Sequence, residues 1–176
     1  YSLKEFNNCM QLEELYVDSC TLSDEGIEVL CEKVRANLRV LSLTNCPGIT
    51  KIGCYPNLER LTLTGINISI QELGAINKQL EHLDIVNTGI VDFTQLFFPD
   101  LKELRAGSEN TYDVGPSLSD GSMQSLSQNI RKSLNRLTLY GCDSIRSVGN
   151  FEQLEELTLF DVENICVKNA CRNAMK

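Results

Sequence analysis

The 176-residue chain has no tryptophan and a single histidine, His82. A hydrolytic relay needs a nucleophile within hydrogen-bond reach of an oriented base. The hydroxyls nearest His82 in the register derived below are Thr62 and Thr64, and neither is activated, so no enzyme is expected. No apolar run approaches the roughly 20 residues of a membrane-spanning helix, which argues against membrane insertion. A basic N-terminal segment followed by an apolar stretch is also missing, so no secretory signal is read. Cationic excess is absent, with 16 Lys and Arg against 24 Asp and Glu and a net charge of −8. Nucleic acids and anionic membrane surfaces recruit Lys and Arg, so neither is expected as a partner. No C-x-x-C pair occurs, and Cys46/Cys54 and Cys166/Cys171 have no partners at zinc-site spacing. A phosphate-cradling glycine motif is likewise missing, so neither metal nor cofactor is expected.

What the chain does contain is a repeat. The pattern L-x-x-L-x-[LIVA] occurs seven times, starting at Leu12, Leu38, Leu58, Leu80, Leu101, Leu134 and Leu154, with gaps of 26, 20, 22, 21, 33 and 20 residues. Each copy predicts one short parallel strand on a common sheet, its second and third apolar residues inward and its intervening side chains outward. A single coil cannot bury its own leucines, so the copies must stack. Residues 1–176 are therefore expected to form one α/β solenoid domain. Leu3, Phe6 and Cys9 resemble the tail of a preceding coil, and the first residue is Tyr1 rather than Met, so the domain is expected to belong to a longer chain.

A longer repetition lies beneath the short one. The 26 residues from Thr21 to Cys46 align with those from Ser117 to Cys142 at a constant offset of 96, which persists through Ile49/Ile145, Gly53/Gly149 and Leu58/Leu154. Both read as helical returns on the far side of the coils. Ser23 or Asp24 would cap the first, with Ile27, Leu30, Cys31 and Val34 as its apolar stripe. Ser119 or Asp120 would cap the second, with Met123, Leu126 and Ile130. Other coils are expected to return by turns or short helical pieces. The 33-residue gap exceeds the 26-residue unit by seven residues, which predicts a loop from Ala106 to Pro116 projecting at the rim of the sheet face. Val167, Ala170, Cys171, Ala174 and Met175 are spaced for a closing helix over 165–176, or for an ordinary return helix.

The segments LRVLSLTNCPGIT and LNRLTLYGCDSIR resemble the cysteine-containing subclass of leucine-rich repeats found in F-box substrate receptors. LEHLDIVNTGIVDFTQL is similar to the short repeats of cytosolic regulatory proteins. The resemblance implies a curved horseshoe with the parallel sheet on its concave face and helices and turns on the convex face. It also implies that the residue three positions after each strand's last apolar turns inward to bond loop backbone. That slot holds Cys20, Cys46, Ile66, Thr88, Cys142 and Val162. Cys20 and Cys46 would sit on adjacent coils, as buried free thiols or as a disulfide. The favoured ladder of reduced thiols among the eight cysteines implies a cytoplasmic or nuclear protein.

The register also predicts the outward rows. The first is Glu14, Val40, Arg60, His82, Glu103, Arg136 and Glu156; the second is Tyr16, Ser42, Thr62, Asp84, Arg105, Thr138 and Thr158; the third is Asp18, Thr44, Thr64, Val86, Gly107, Tyr140 and Phe160. Asp84 would face Arg105, and Glu103 would lie between His82 and Arg136, a ladder that an ordinary solvated face would also show. Tyr140 and Phe160 fall side by side near Arg105 and Arg136, with Tyr112 on the projecting loop. Aromatics and Arg dominate interface energetics, so these five are the candidate partner-binding residues; cover of Phe160 by a further coil or by the terminal helix is the alternative. The function expected is that of a non-catalytic scaffold or adaptor for a protein partner. The substrate-recognition segment of a ubiquitin-ligase receptor and a surface recognition protein are the alternatives.

Overall fold

Alternate residues of an extended segment fall on opposite sides, so leucines two apart share a face. In the computed structural model this alternation builds seven strands: β1 (Glu14–Asp18), β2 (Val40–Thr44), β3 (Arg60–Thr62), β4 (His82–Val86), β5 (Glu103–Gly107), β6 (Arg136–Tyr140) and β7 (Glu156–Phe160). The residues described are 3–30, 32–74, 79–90, 92–94, 96–109, 118–141 and 144–160. The strands form one sheet in chain order, and every neighbouring pair is parallel. The α/β class and the parallel sheet expected from the repeats are therefore what the chain adopts. Seven leucines stand in register across it: Leu15, Leu41, Leu61, Leu83, Leu104, Leu137 and Leu157. All but Leu157, which lies on the edge strand β7, are buried in one continuous apolar core.

The far side of that core is closed by helices and irregular chain. α1 (Asp24–Glu28) and α2 (Glu32–Asn37) occupy the first expected return, which is thus divided into two short helices rather than one. α3 (Ile70–Gly74) is a short piece, and α4 (Asp120–Ile130) is the longest helix described. Ser119 caps α4 through a reciprocal pair of bonds with Ser122, which satisfies two backbone donors that a helix N-terminus otherwise leaves open. Ser23 occupies the corresponding N-cap position of α1 without a side-chain cap bond. The predicted stripes are both inward: Ile27, Leu30 and Val34 in the first unit, Met123, Leu126 and Ile130 in the second. Each such side chain contributes roughly 1.5–3 kcal/mol by leaving water. No helix among the described residues is long and apolar enough to cross a membrane.

A repeated backbone device sends the chain off the sheet. Ser19, Asn45, Gly65, Asn87 and Gly141 follow or lie just beyond their strands with φ between 50° and 68°. This left-handed turn aims the next side chain at the core. Cys46, Ile66 and Thr88 are buried there, and Cys20 on the first coil is half-buried. Thr88 Oγ1 donates to the Ile85 carbonyl at 2.7 Å and accepts from Ile90 N–H at 3.3 Å. Cys20 and Cys46 are free thiols with their sulfurs 3.5 Å apart, so no disulfide joins them. Cys31, Cys142, Val162, Tyr112 and the predicted closing helix lie outside the described residues, as does the projecting loop from 110 onward.

Candidate functional site on the open face of the sheet

Parallel sheets are usually covered on both faces. Here the outward rows are half-buried or exposed along nearly their whole length, which makes this face the one to search for a site. The cross-strand register reproduces the predicted first and second rows throughout, from Glu14 to Glu156 and from Tyr16 to Thr158. The third row departs at Val86, expected outward and in fact 1% exposed. Its neighbour across the sheet is Gly107, which has no side chain to hold it off. The chain leaving β5 is also tied back to Asn87, whose Oδ1 accepts from Glu109 N–H at 2.9 Å. Glu109 is thereby held beside the turn that leaves β4.

Three of the predicted site residues are brought into one connected group. Arg105 pairs through Nη1 with Asp84 at 2.8 Å and donates from Nη2 to the Tyr140 hydroxyl at 2.7 Å. Its guanidinium lies 5.6 Å from the Tyr140 ring centroid, and Tyr140 stacks on Phe160 with centroids 4.7 Å apart and planes 11° from parallel. Stacked pairs of this kind add about 0.5–1.5 kcal/mol beyond the area they bury. Arg136 is not part of that group. It sits on the first row, 3.7 Å from Glu103 and 3.4 Å from Glu156, and Glu103 in turn bonds His82 Nδ1 at 3.2 Å. Tyr112 lies outside the described residues.

The electrostatics of the group follow from unequal burial. Asp84 has a side chain only 14% exposed, against 40% for Arg105. Burial pushes the Asp84 carboxyl above its usual range, and the donors Val86 N–H and Thr64 Oγ1, together with Arg105, offset only part of that. For Arg105, burial opposes the charge, but the Tyr140 hydroxyl and Asp84 outweigh it and raise its basicity. Arg105 is thus held charged and oriented, with its position fixed from two sides.

A shallow groove of about 450 Å³ runs along the same face from Tyr16 to Arg136, floored by Ser42, Thr62 and the outward edges of Leu61 and Leu83. Its walls include Arg60, His82, Glu103 and Arg105. Tyr16 closes one end and is 65% exposed, the most exposed large apolar side chain described. Its hydroxyl donates to Glu14 at 3.0 Å, and that bond, which needs the proton, pushes its pKa above the usual tyrosine value. Tyr16 and Arg60 are not among the five residues the sequence points to, which all lie in the half of the face nearer the projecting loop. The available signal was positional: Tyr16 heads the middle row on an edge strand, where only one neighbour can cover it. Among the described residues no cluster of His, Cys, Asp and Glu is arranged to hold a metal ion. Comparison with protein-family models, curated proteins and solved structures finds no match.

Proposed function

We propose that the chain is a leucine-rich-repeat solenoid of horseshoe shape and serves as a non-catalytic scaffold or adaptor, holding a protein partner against the open face of its sheet. Support for the fold reading comes from seven in-register leucine patterns on parallel strands in chain order, with the sheet bare on one side. The observation that carries the functional reading is the connected group Asp84, Arg105, Tyr140 and Phe160, which spans two outward rows beside the groove headed by Tyr16. Aromatic and Arg side chains already fixed in place lose little freedom on binding, and so return more of their contact energy as affinity. Six strand intervals of about 4.8 Å give a face nearly 30 Å long, enough for an interface of about 800 Å² per partner. A scaffold role also fits the occupied state of the face: His82 is paired with Glu103, and the hydroxyl of Thr64 bonds Asp84 at 3.4 Å. The free thiols of Cys9, Cys20, Cys46 and Cys54 favour a reducing, intracellular setting.

Affinity capture with quantitative mass spectrometry, comparing the wild type with a Tyr140→Ala/Phe160→Ala double variant, tests the reading. Partners recovered by the wild type should be lost at least tenfold in the variant, while circular dichroism shows it still folded and its melting midpoint drops by only the few degrees that loss of the stack entails. Equal recovery of every partner by the two proteins would overturn it.

A further inference from the structure

The left-handed residues Ser19 and Asn45 place the thiols that follow them one above the other on adjacent coils. The Cys20 and Cys46 sulfurs are 3.5 Å apart, in van der Waals contact. Their surroundings differ. Cys46 is buried and directs its thiol at the Thr44 carbonyl, 3.3 Å away, whereas Cys20 is half-buried on the coil of the edge strand β1. Cys9 and Cys54 are exposed, and among the described residues neither has another sulfur in contact. A bonded pair of sulfurs is about 2.05 Å apart, so closure needs a shift of roughly 1.5 Å in two short side chains at the end of the sheet.

We propose that Cys20 and Cys46 are a reversible modification site, a dithiol that closes to an intrachain disulfide by exchange with a low-molecular-weight disulfide such as oxidised glutathione. The Cys20 thiolate, its proton lost to solvent, attacks one sulfur of the glutathione disulfide. A mixed disulfide forms on Cys20, and one glutathione leaves as thiolate and takes up a proton. Cys46 then attacks the Cys20 sulfur, its proton passing to the second departing glutathione. The balance is one protein dithiol oxidised by two electrons and one glutathione disulfide reduced to two thiols. The order follows from access: only Cys20 has a side open to a reagent, and Cys46, which burial holds protonated, is positioned to resolve the adduct. Excess reduced glutathione reverses both steps.

The test is a non-reducing peptide map of the folded chain after incubation with oxidised glutathione. Cleavage after Glu and after Lys or Arg isolates Cys20 in the peptide Leu15 to Glu25 and Cys46 in Val40 to Lys51, each with no other cysteine. The expected product is these two peptides joined and lighter by two hydrogens than their sum, while Cys9 and Cys54 carry glutathione adducts. In Cys46→Ser the glutathione adduct should persist on the Cys20 peptide. Adducts on Cys9 and Cys54 without the Cys20–Cys46 link, or Cys20 linked indiscriminately to several cysteines, would overturn the proposal. The wild-type map decides even where the variant folds poorly.

Discussion

Asp24 and Asp120 stand 96 residues apart and make the same pair of bonds to the coil that follows each. Asp24 Oδ1 accepts from the backbone N–H of Thr50 at 2.7 Å and of Lys51 at 2.9 Å; Asp120 Oδ1 accepts from Arg146 at 2.6 Å and Ser147 at 3.0 Å. The two donor pairs also stand 96 apart, so the longer repetition encodes a staple between adjacent coils as well as a helix start.

The first prediction follows from that staple. Asp24→Ala and Asp120→Ala should each destabilise the fold by about 1.5–3 kcal/mol, the range for hydrogen bonds to an ionised group. Burial acts to raise the Asp24 carboxyl, but the Thr50 hydroxyl and the backbone donors of Thr50 and Lys51 outweigh it and hold the group below its usual range. Its stabilisation is therefore complete above about pH 4, the unfolded value, and is lost as pH falls through the lower folded value. Urea midpoints at pH 6 and pH 3 check this: the gap between wild type and Asp24→Ala should be smaller at pH 3 than at pH 6.

Tyr55 offers a change in the opposite direction. Its hydroxyl is fully buried with no hydrogen-bond partner among the described residues, and burial pushes its pKa up to about 12. The residue 96 positions on is Phe151, also buried. An unpaired buried hydroxyl costs about 1–3 kcal/mol, so Tyr55→Phe should raise stability by about 1 kcal/mol with an unchanged denaturant slope. The raised folded pKa means that wild-type stability is fully kept below about pH 10 and declines as pH rises toward 12. That alkaline decline should be weaker in the Phe variant, and a variant less stable than wild type at pH 7 would refute the argument.

Two glycines separate conformational strain from steric collision. Gly107 has φ +104°, and a Cβ there would lie 2.0 Å from the Tyr140 carbonyl oxygen, a backbone atom that cannot move aside cheaply. Gly89 has φ +74° and nothing within 4 Å of the added carbon. Gly89→Ala should cost about 1–2 kcal/mol, the ordinary penalty of a left-handed L-residue. Gly107→Ala should cost more than about 3 kcal/mol and disturb the Tyr140–Phe160 stack. Thermal melts of the two variants, with the tyrosine near-ultraviolet signal, distinguish them.

Strand positions, order and pairing were legible in the sequence because a buried leucine every second residue leaves one workable register: a slip by one would turn Leu41, Leu61 and Leu104 to water. The ion pairs of Asp84 with Arg105 and of Glu103 with Arg136 followed from that register alone. What escaped was governed by chain outside the repeat. Val86 is buried opposite Gly107, and close by Glu109 is bonded back to Asn87, a contact between positions 22 apart that no periodicity encodes. The exposure of Tyr16 came from its place on an edge strand, and the connection of Arg105 to Tyr140 came from side-chain reach across one interval of the sheet.

The raised Asp84 carboxyl yields a last prediction about the binding face itself. Arg105, 2.8 Å away, favours the Asp84 carboxylate against the burial that opposes its charge. Arg105→Met removes that support and leaves the carboxylate with Val86 N–H and Thr64 Oγ1, so its pKa should rise further. With the folded value above the unfolded one, the fold is relieved of the buried charge below about pH 4 and loses stability as pH climbs through the folded value. The gap between wild type and Arg105→Met should thus be small at pH 4 and on the order of 1 kcal/mol at pH 7, a modest figure because Arg105 is partly solvated. Carboxyl NMR of Asp84 reads the shift directly. In an Asp84→Asn background the same Arg105 substitution should lose its pH dependence, since the carboxylate that Arg105 compensates is gone. A gap that does not vary with pH would mean that Arg105 serves Tyr140 alone.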